Sequence, residues 1–223
     1  RGAPLVLMPT TAGTGSEVTR VLVVTDAREN LKSVVFSRFA VADTAIIDPL
    51  LTVGMPPHVT ADTGMDAFVH AAETYVSMNA TVFSDLFAER AIERIARWLP
   101  VACAKGTNLE ARFHLSAAAT MAGLAFGSGG LGAVHALAYP LGTEYHMTHG
   151  RTNAIMLPHV MRFNLAGAAS KYGRMAALMG KEIAGLSPMA AAGQAVEAVK
   201  ELLGAIGVSS RMSDYGIPRE DLP

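Results

Sequence analysis

The 223-residue sequence has one cysteine, Cys103, so no intrachain disulfide can form. That usage points to a reducing compartment and hence a cytoplasmic protein. Lys105 is the only charge near Cys103 in sequence, so the thiol reads as a small buried hydrophobe rather than a nucleophile. Charge is scarce as well. Asp, Glu, Lys and Arg make up 17% of the residues, and the formal net charge is −1. Lys and Arg are scattered singly, which excludes the basic stripe of a nucleic-acid binder. Signal-peptide pattern, internal repeat and low-complexity tract are all missing. Between Leu115 and Thr143 there is no formally charged side chain, a stretch long enough to span a bilayer. It contains Gly123, Gly127, Gly129, Gly130, Gly132, His135 and Pro140, however, and is richer in Ala and Gly than in Leu or Ile. It therefore reads as the closely packed interior of a helical domain, with no membrane partner.

What is present is a chain with 51% apolar residues, enough for a sizeable core and too many for disorder. Its length fits one large domain, or one domain plus part of another. The sequence opens on Arg1, directly before the strand-like run Pro4–Met8, and both ends read as cut points within a longer protein. Short apolar or β-branched runs at Leu5–Met8, Val18–Thr25, Val34–Phe36 and Thr44–Ile47 predict strands, with a polar connection over Thr25–Asn30. Asp48-Pro49 ends the last of them. From Pro56 the period changes. Helices are predicted over Val59–Val76, Ser84–Leu99, Leu109–Phe126, Leu131–Leu141, Asn153–Phe163, Ala166–Met179 and Ala190–Ile206, the last closed by Gly204 and Gly207. Strands come first and helices afterwards, without alternation. The fold class is thus an α/β remnant followed by an all-α domain, not a complete doubly wound sheet.

Asp66 and His70 lie four apart in a helical run, which puts them on one face and suits two ligands of one metal. A surface Asp–His hydrogen bond at that spacing is commoner than a metal site, so the pair alone is weak evidence. His135 and His149 are too far apart along one straight helix to share an ion with them. Pro140, Gly142 and Gly150 offer places for the chain to break, so that a second helix starts near His149. One Asp with three His suits a borderline divalent ion, iron(II) or zinc. His58, His114 and His159 read as structural or surface residues. Gly127-Ser-Gly-Gly-Leu-Gly132 matches a dinucleotide fingerprint literally, but it follows a helix and lacks the later acidic residue. It reads as close helix packing beside the metal. Phe126, just before it, is either a pocket wall or an ordinary core phenylalanine.

Thr10-Thr-Ala-Gly-Thr-Gly-Ser-Glu-Val-Thr19, Gly64-Met-Asp-Ala-Phe-Val-His70, His135-Ala-Leu-Ala-Tyr-Pro-Leu-Gly142 and His149-Gly150 resemble the iron-containing (group III) alcohol dehydrogenases. The motifs run in order over nearly the whole chain. The resemblance implies a dehydroquinate synthase-like architecture, with residues 1–52 the end of an α/β dinucleotide-binding domain and 53–223 a helical metal-binding domain. It implies that Asp66, His70, His135 and His149 are the four metal ligands. It also implies that Thr10, Thr11, Thr19, Lys32, Leu51, Gly54 and Met55 contact NAD or NADP, and that the family's Gly-Gly-Gly-Ser phosphate turn belongs before Arg1. The implied activity is hydride transfer between a small alcohol or aldehyde and the nicotinamide, with the metal as Lewis acid, in a homo-oligomer. Tyr139 stands where many members carry a proton-relaying His, and tyrosine is the poorer shuttle at neutral pH. His146, three before His149, is the candidate to take that role. The alternatives are a glycerol- or polyol-type dehydrogenase of the same superfamily and a non-catalytic metal-binding helical domain.

Overall fold

In a computed structural model of the chain, residues 3–26 and 31–219 are described, with backbone alone at 25, 26, 31 and 32. Two small sheets come first. Strand β1 (Val6–Leu7) pairs in parallel with β4 (Thr44–Ala45), and β2 (Val21–Asp26) forms an antiparallel pair with β3 (Leu31–Phe36). The predicted strand beginning at Val18 starts late, because Ser16–Val18 is a 3₁₀ turn behind the left-handed Gly15. The middle of the Thr25–Asn30 connection, residues 27–30, lies outside the described residues.

Seven helices follow: α1 (Pro57–Val76), α2 (Val82–Ala104), α3 (Leu109–Gly129), α4 (Ala133–Glu144), α5 (His149–Asn164), α6 (Ala169–Leu178) and α7 (Pro188–Ala205). Their starts follow local chemistry. Thr81 and Ser84 form a reciprocal capping box for α2, while Asn108 and Ser187 cap the first turns of α3 and α7. At the other end of α7, Gly207 takes φ 70° and the Val208 N–H closes back on the Leu203 carbonyl, a left-handed stop that glycine adopts without strain.

Helix α1 is the axis of the core, buried on nearly every side and packed against α2, α3 and α5. Small residues set the spacing: a Cβ at Gly64 would meet Leu99 Cδ1 at 2.3 Å. Helix α2 outruns its predicted end at Leu99 and passes through Pro100. The lost hydrogen bond there is offset by burial of Ala102 against the core. The uncharged stretch is two helices, α3 and α4, bent by 111° at the glycine cluster. Among the described residues no single helix is long and apolar enough to cross a membrane.

Arg112 on α3 is fully buried and ties three segments together. Its guanidinium donates to the Gly106 carbonyl at 2.8 Å, Thr60 Oγ1 at 2.9 Å and the Met55 carbonyl at 3.2 Å. Arg112→Met keeps much of the bulk and strips all three acceptors of their donor. We expect a loss of about 2–4 kcal/mol in the urea unfolding free energy at unchanged m-value. A loss below about 1 kcal/mol would mean that desolvating the guanidinium cancels its hydrogen bonds.

Candidate metal centre

One stripe of α1 supplies the site. Asp62, Asp66, His70 and Glu73 follow one another at helical spacing, and all four are buried. Asp66 Oδ1 lies 3.8 Å from His70 Nε2, 4.0 Å from His135 Nε2 and 3.7 Å from His149 Nε2. Those separations are too long for hydrogen bonds. They match atoms that each sit roughly 2.0–2.2 Å from a shared divalent ion, as His nitrogen and carboxylate oxygen do. Asp66, His70 and His135 form the tight buried group, their ligand atoms within 4.8 Å of one another. The His149 side chain is 44% exposed and stands at the open side.

Both ends of the α4–α5 connection are tied to α1. The Thr148 hydroxyl donates to Asp62 Oδ2 at 2.6 Å and Arg151 Nε to Asp62 Oδ1 at 2.7 Å, on either side of His149. Gly150 lies so close to α1 that a Cβ there would meet the Asp62 carbonyl oxygen at 2.0 Å. At the start of α4, Glu73 Oε1 accepts the Val134 N–H at 2.6 Å, and Glu73 Oε2 lies 2.6 Å from His135 Nδ1. A carboxylate on Nδ1 keeps the proton there and leaves the Nε2 lone pair for a metal. The chain break differs from its expected place. Pro140 and Gly142 lie inside α4 and Gly150 inside α5. The turn is at 145–148, with His146 at φ 53°. Pro140 lies inside α4 without ending it, and Gly150 serves close packing rather than a break.

A cleft of about 270 Å³ opens on Asp66, His70, His135 and His149, the four candidate ligands, and is further lined by Thr14, Ser16, Thr19, Phe126, Leu131 and Tyr139, among others. Phe126 is thus a wall of the site, its ring 4.6 Å from that of His70. Tyr139 also faces the cleft, its ring 5.7 Å from His149. His146 is exposed and is not among the lining residues. Thr19 lines the cleft; Thr10, Thr11, Leu51, Gly54 and Met55 do not. The Lys32 side chain lies outside the described residues. The glycine cluster packs against α1: Ser77 Oγ donates to the Gly129 carbonyl at 2.7 Å and Thr74 Oγ1 to the Gly130 carbonyl at 3.0 Å. Among the remaining histidines, His114 stacks on Trp98 and His159 Nε2 lies 3.0 Å from the Ser210 carbonyl. Burial pushes the Cys103 thiol up to about 11, which leaves it protonated and unreactive.

Glu73 and Asn153 were missed from sequence, although each sits at helical spacing from a ligand, Glu73 three after His70 and Asn153 four after His149. Asn153 is fully buried, and its amide nitrogen donates to Asp66 Oδ1 at 2.9 Å.

Comparison with known families matches residues 60–223 to "Fe-containing alcohol dehydrogenase family, C-terminal" and residues 1–49 to "Iron-containing alcohol dehydrogenase". The chain belongs to the iron-containing alcohol dehydrogenase family. It is 44% identical over 220 residues to a 1,3-propanediol dehydrogenase of Klebsiella pneumoniae, covering 99% of this chain and 57% of that protein. To an NAD-dependent methanol dehydrogenase of Bacillus methanolicus it is 40% identical, over 98% of this chain and 58% of the other. The crystal structure of a 1,3-propanediol oxidoreductase superposes with a TM-score of 0.95 at 44% identity, over 98% of this chain and 57% of that one. The chain therefore spans a little over half the length of these relatives. Its mostly helical architecture with a small sheet is that of the family.

Two outcomes follow from the site. Glu73→Gln turns an N–H toward His135 Nδ1, which favours the tautomer with the proton on Nε2. Zinc or cobalt affinity, measured by chelator competition, should fall about 10–100-fold; an unchanged affinity would remove Glu73 from this role. The second concerns His70, whose pKa is lowered from 6.5 to about 4, chiefly by burial and further by His135 and His149, against the pull of Asp66. The unfolded chain therefore takes up this proton more readily than the folded one. The contribution of neutral His70 to the stability of the metal-free protein is fully present above pH 6.5 and is lost as pH falls from there toward 4. The melting temperature of chelator-treated protein should drop through that window, and His70→Gln should flatten the drop.

Proposed function

We propose that the protein is a metal-dependent alcohol dehydrogenase that interconverts a small primary alcohol and its aldehyde with NAD or NADP. The observation that carries this reading is the asymmetry of the site: three ligands are buried, and the fourth borders an open cleft. A structural metal site is closed, whereas a catalytic one keeps a position open to a small molecule. Four neutral or anionic donors with one carboxylate suit iron(II), with zinc the second candidate.

Asp66, His70, His135 and His149 would hold the ion, which supplies a Lewis acid that polarises an alcohol or carbonyl oxygen. The rest is the work of the chain's own groups. Phe126 and Leu131 form an apolar wall that keeps water from the reacting carbon. The Thr14, Ser16 and Thr19 hydroxyls line the same cleft and are placed to orient a nicotinamide or the substrate oxygen. Tyr139, on the cleft beside His149, can hand a proton toward solvent. His146 remains the candidate for the outer step of that relay. Thr10, Thr11, Lys32, Leu51, Gly54 and Met55 are proposed as contacts to the rest of the dinucleotide, with Thr19 nearest the reaction. The relatives named for 1,3-propanediol and methanol support a substrate with a primary hydroxyl.

Metal content of anaerobically purified protein tests the reading, wild type against His135→Ala. About one iron or zinc per chain, lost in the variant, is the expected result. In the same preparation, NAD- or NADP-linked oxidation should be faster with primary alcohols than with glycerol. A wild type free of metal under iron-replete conditions would sink the reading.

A further inference from the structure

Within the site just described, one group is positioned as closely as the ligands themselves. Asn153 lies on α5, one turn after His149, and its side chain is completely buried. Its amide nitrogen is 2.9 Å from Asp66 Oδ1, 3.2 Å from His135 Nε2 and 3.2 Å from His149 Nε2. An amide nitrogen has two hydrogens and faces three acceptors here, all of them proposed ligand atoms. The amide oxygen, by contrast, is buried with no hydrogen-bond partner among the described residues. A buried carbonyl left unpaired is costly, so the side chain is oriented by what its nitrogen gains.

We propose that Asn153 is a positioning residue of the metal centre, whose amide holds Asp66 in place and gathers the His135 and His149 lone pairs before the ion arrives. The physical need is plain. Asp66 and the imidazole Nε2 atoms point acceptors at one another in a buried space, and without a donor between them they repel. A partial positive charge on the amide nitrogen relieves that repulsion. When a cation takes the imidazole lone pairs, the hydrogen bond to Asp66 Oδ1 is the one that persists, because that oxygen has more than one lone pair to give. Glu73 fixes the far side of His135 and Asn153 the near side, so the ring is held at both nitrogens. This inference rests on the metal-binding reading and adds a residue to it.

The test is cobalt(II) titration of the whole chain, read by visible ligand-field absorption and by competition with a chelator of known affinity. Wild type and Asn153→Ala are compared, with far-UV circular dichroism to confirm that both are folded. Asn153→Ala should bind cobalt about 10–100-fold more weakly and with an altered absorption envelope, since Asp66 is no longer held. A loss of packing alone lowers the melting temperature and leaves that envelope unchanged. Should the alanine variant fail to fold, Asn153→Ser restores a small polar group too short to reach Asp66, and the same weakening is expected. Affinity equal to or above wild type, with an unchanged spectrum, would overturn the proposal while leaving the metal site itself standing. No cobalt uptake by the wild type would overturn both.

Discussion

Helix α1 is buried around most of its circumference, yet one stripe of it carries Asp62, Asp66, His70 and Glu73. Burying such groups is unfavourable unless each is paired. The partners come from two places, the first turn of α4 and the cap and first turns of α5. Asp62 is answered by Thr148 and Arg151, Asp66 by Asn153, and Glu73 by His135 and the first turn of α4. His70 instead stacks on His135 at 4.9 Å and keeps a buried Nδ1 with no hydrogen-bond partner among the described residues. The polar stripe thus dictates where α4 and α5 must sit, and their seating assembles the ligands. Folding of this half of the molecule and formation of the metal site are the same set of contacts.

The N-terminal motif is placed by a different device, the absence of side chains. A Cβ on Gly13 would strike Thr63 at 2.8 Å, and one on Gly15 would strike Gly123 at 2.6 Å. Only glycine lets this loop lie directly on α1 and α3. Glu17, buried at the end of the loop, accepts a hydrogen bond from Thr120 at 2.8 Å and fixes the register. The result is that Thr14, Ser16 and Thr19 face the ligands from the far side of the cleft. Loop and helices meet only because small residues alternate with hydroxyls in the motif.

Much of this was legible in the sequence. Asp66 and His70 stood out by their helical spacing in an apolar run, glycine and proline permitted a break between His135 and His149, and the family resemblance joined the four as candidate ligands; the structure brings them together. The position of that break was not legible. Proline and glycine at 140, 142 and 150 signal interruption, yet each sits inside a helix, and the turn falls at 145–148 where His146 adopts a left-handed backbone. Local propensity was outweighed by the ties that α1 makes on either side. Pro100 tells the same story in α2. Glu73 was visible in principle, being three residues after a proposed ligand, but a glutamate on a helix is ordinarily solvated. Asn153 had the same signal, four residues after His149, but its link to Asp66 and all three partners of Arg112 are set by tertiary packing.

The unequal burial of the ligands bears on how the site can work. Asp66, His70 and His135 are enclosed, so their geometry is set by packing and by Glu73 and Asn153. His149 is the exception, half open to the cleft and anchored through its backbone, with Thr148 and Arg151 gripping Asp62 on either side of it. Were these four side chains to hold an ion, a small molecule would reach it from the cleft that His149 borders. Tyr139 lines that cleft next to His149. The cleft therefore offers a small molecule an approach beside the Tyr139 ring, with the Phe126 ring set against His70 as an apolar wall of the same cleft.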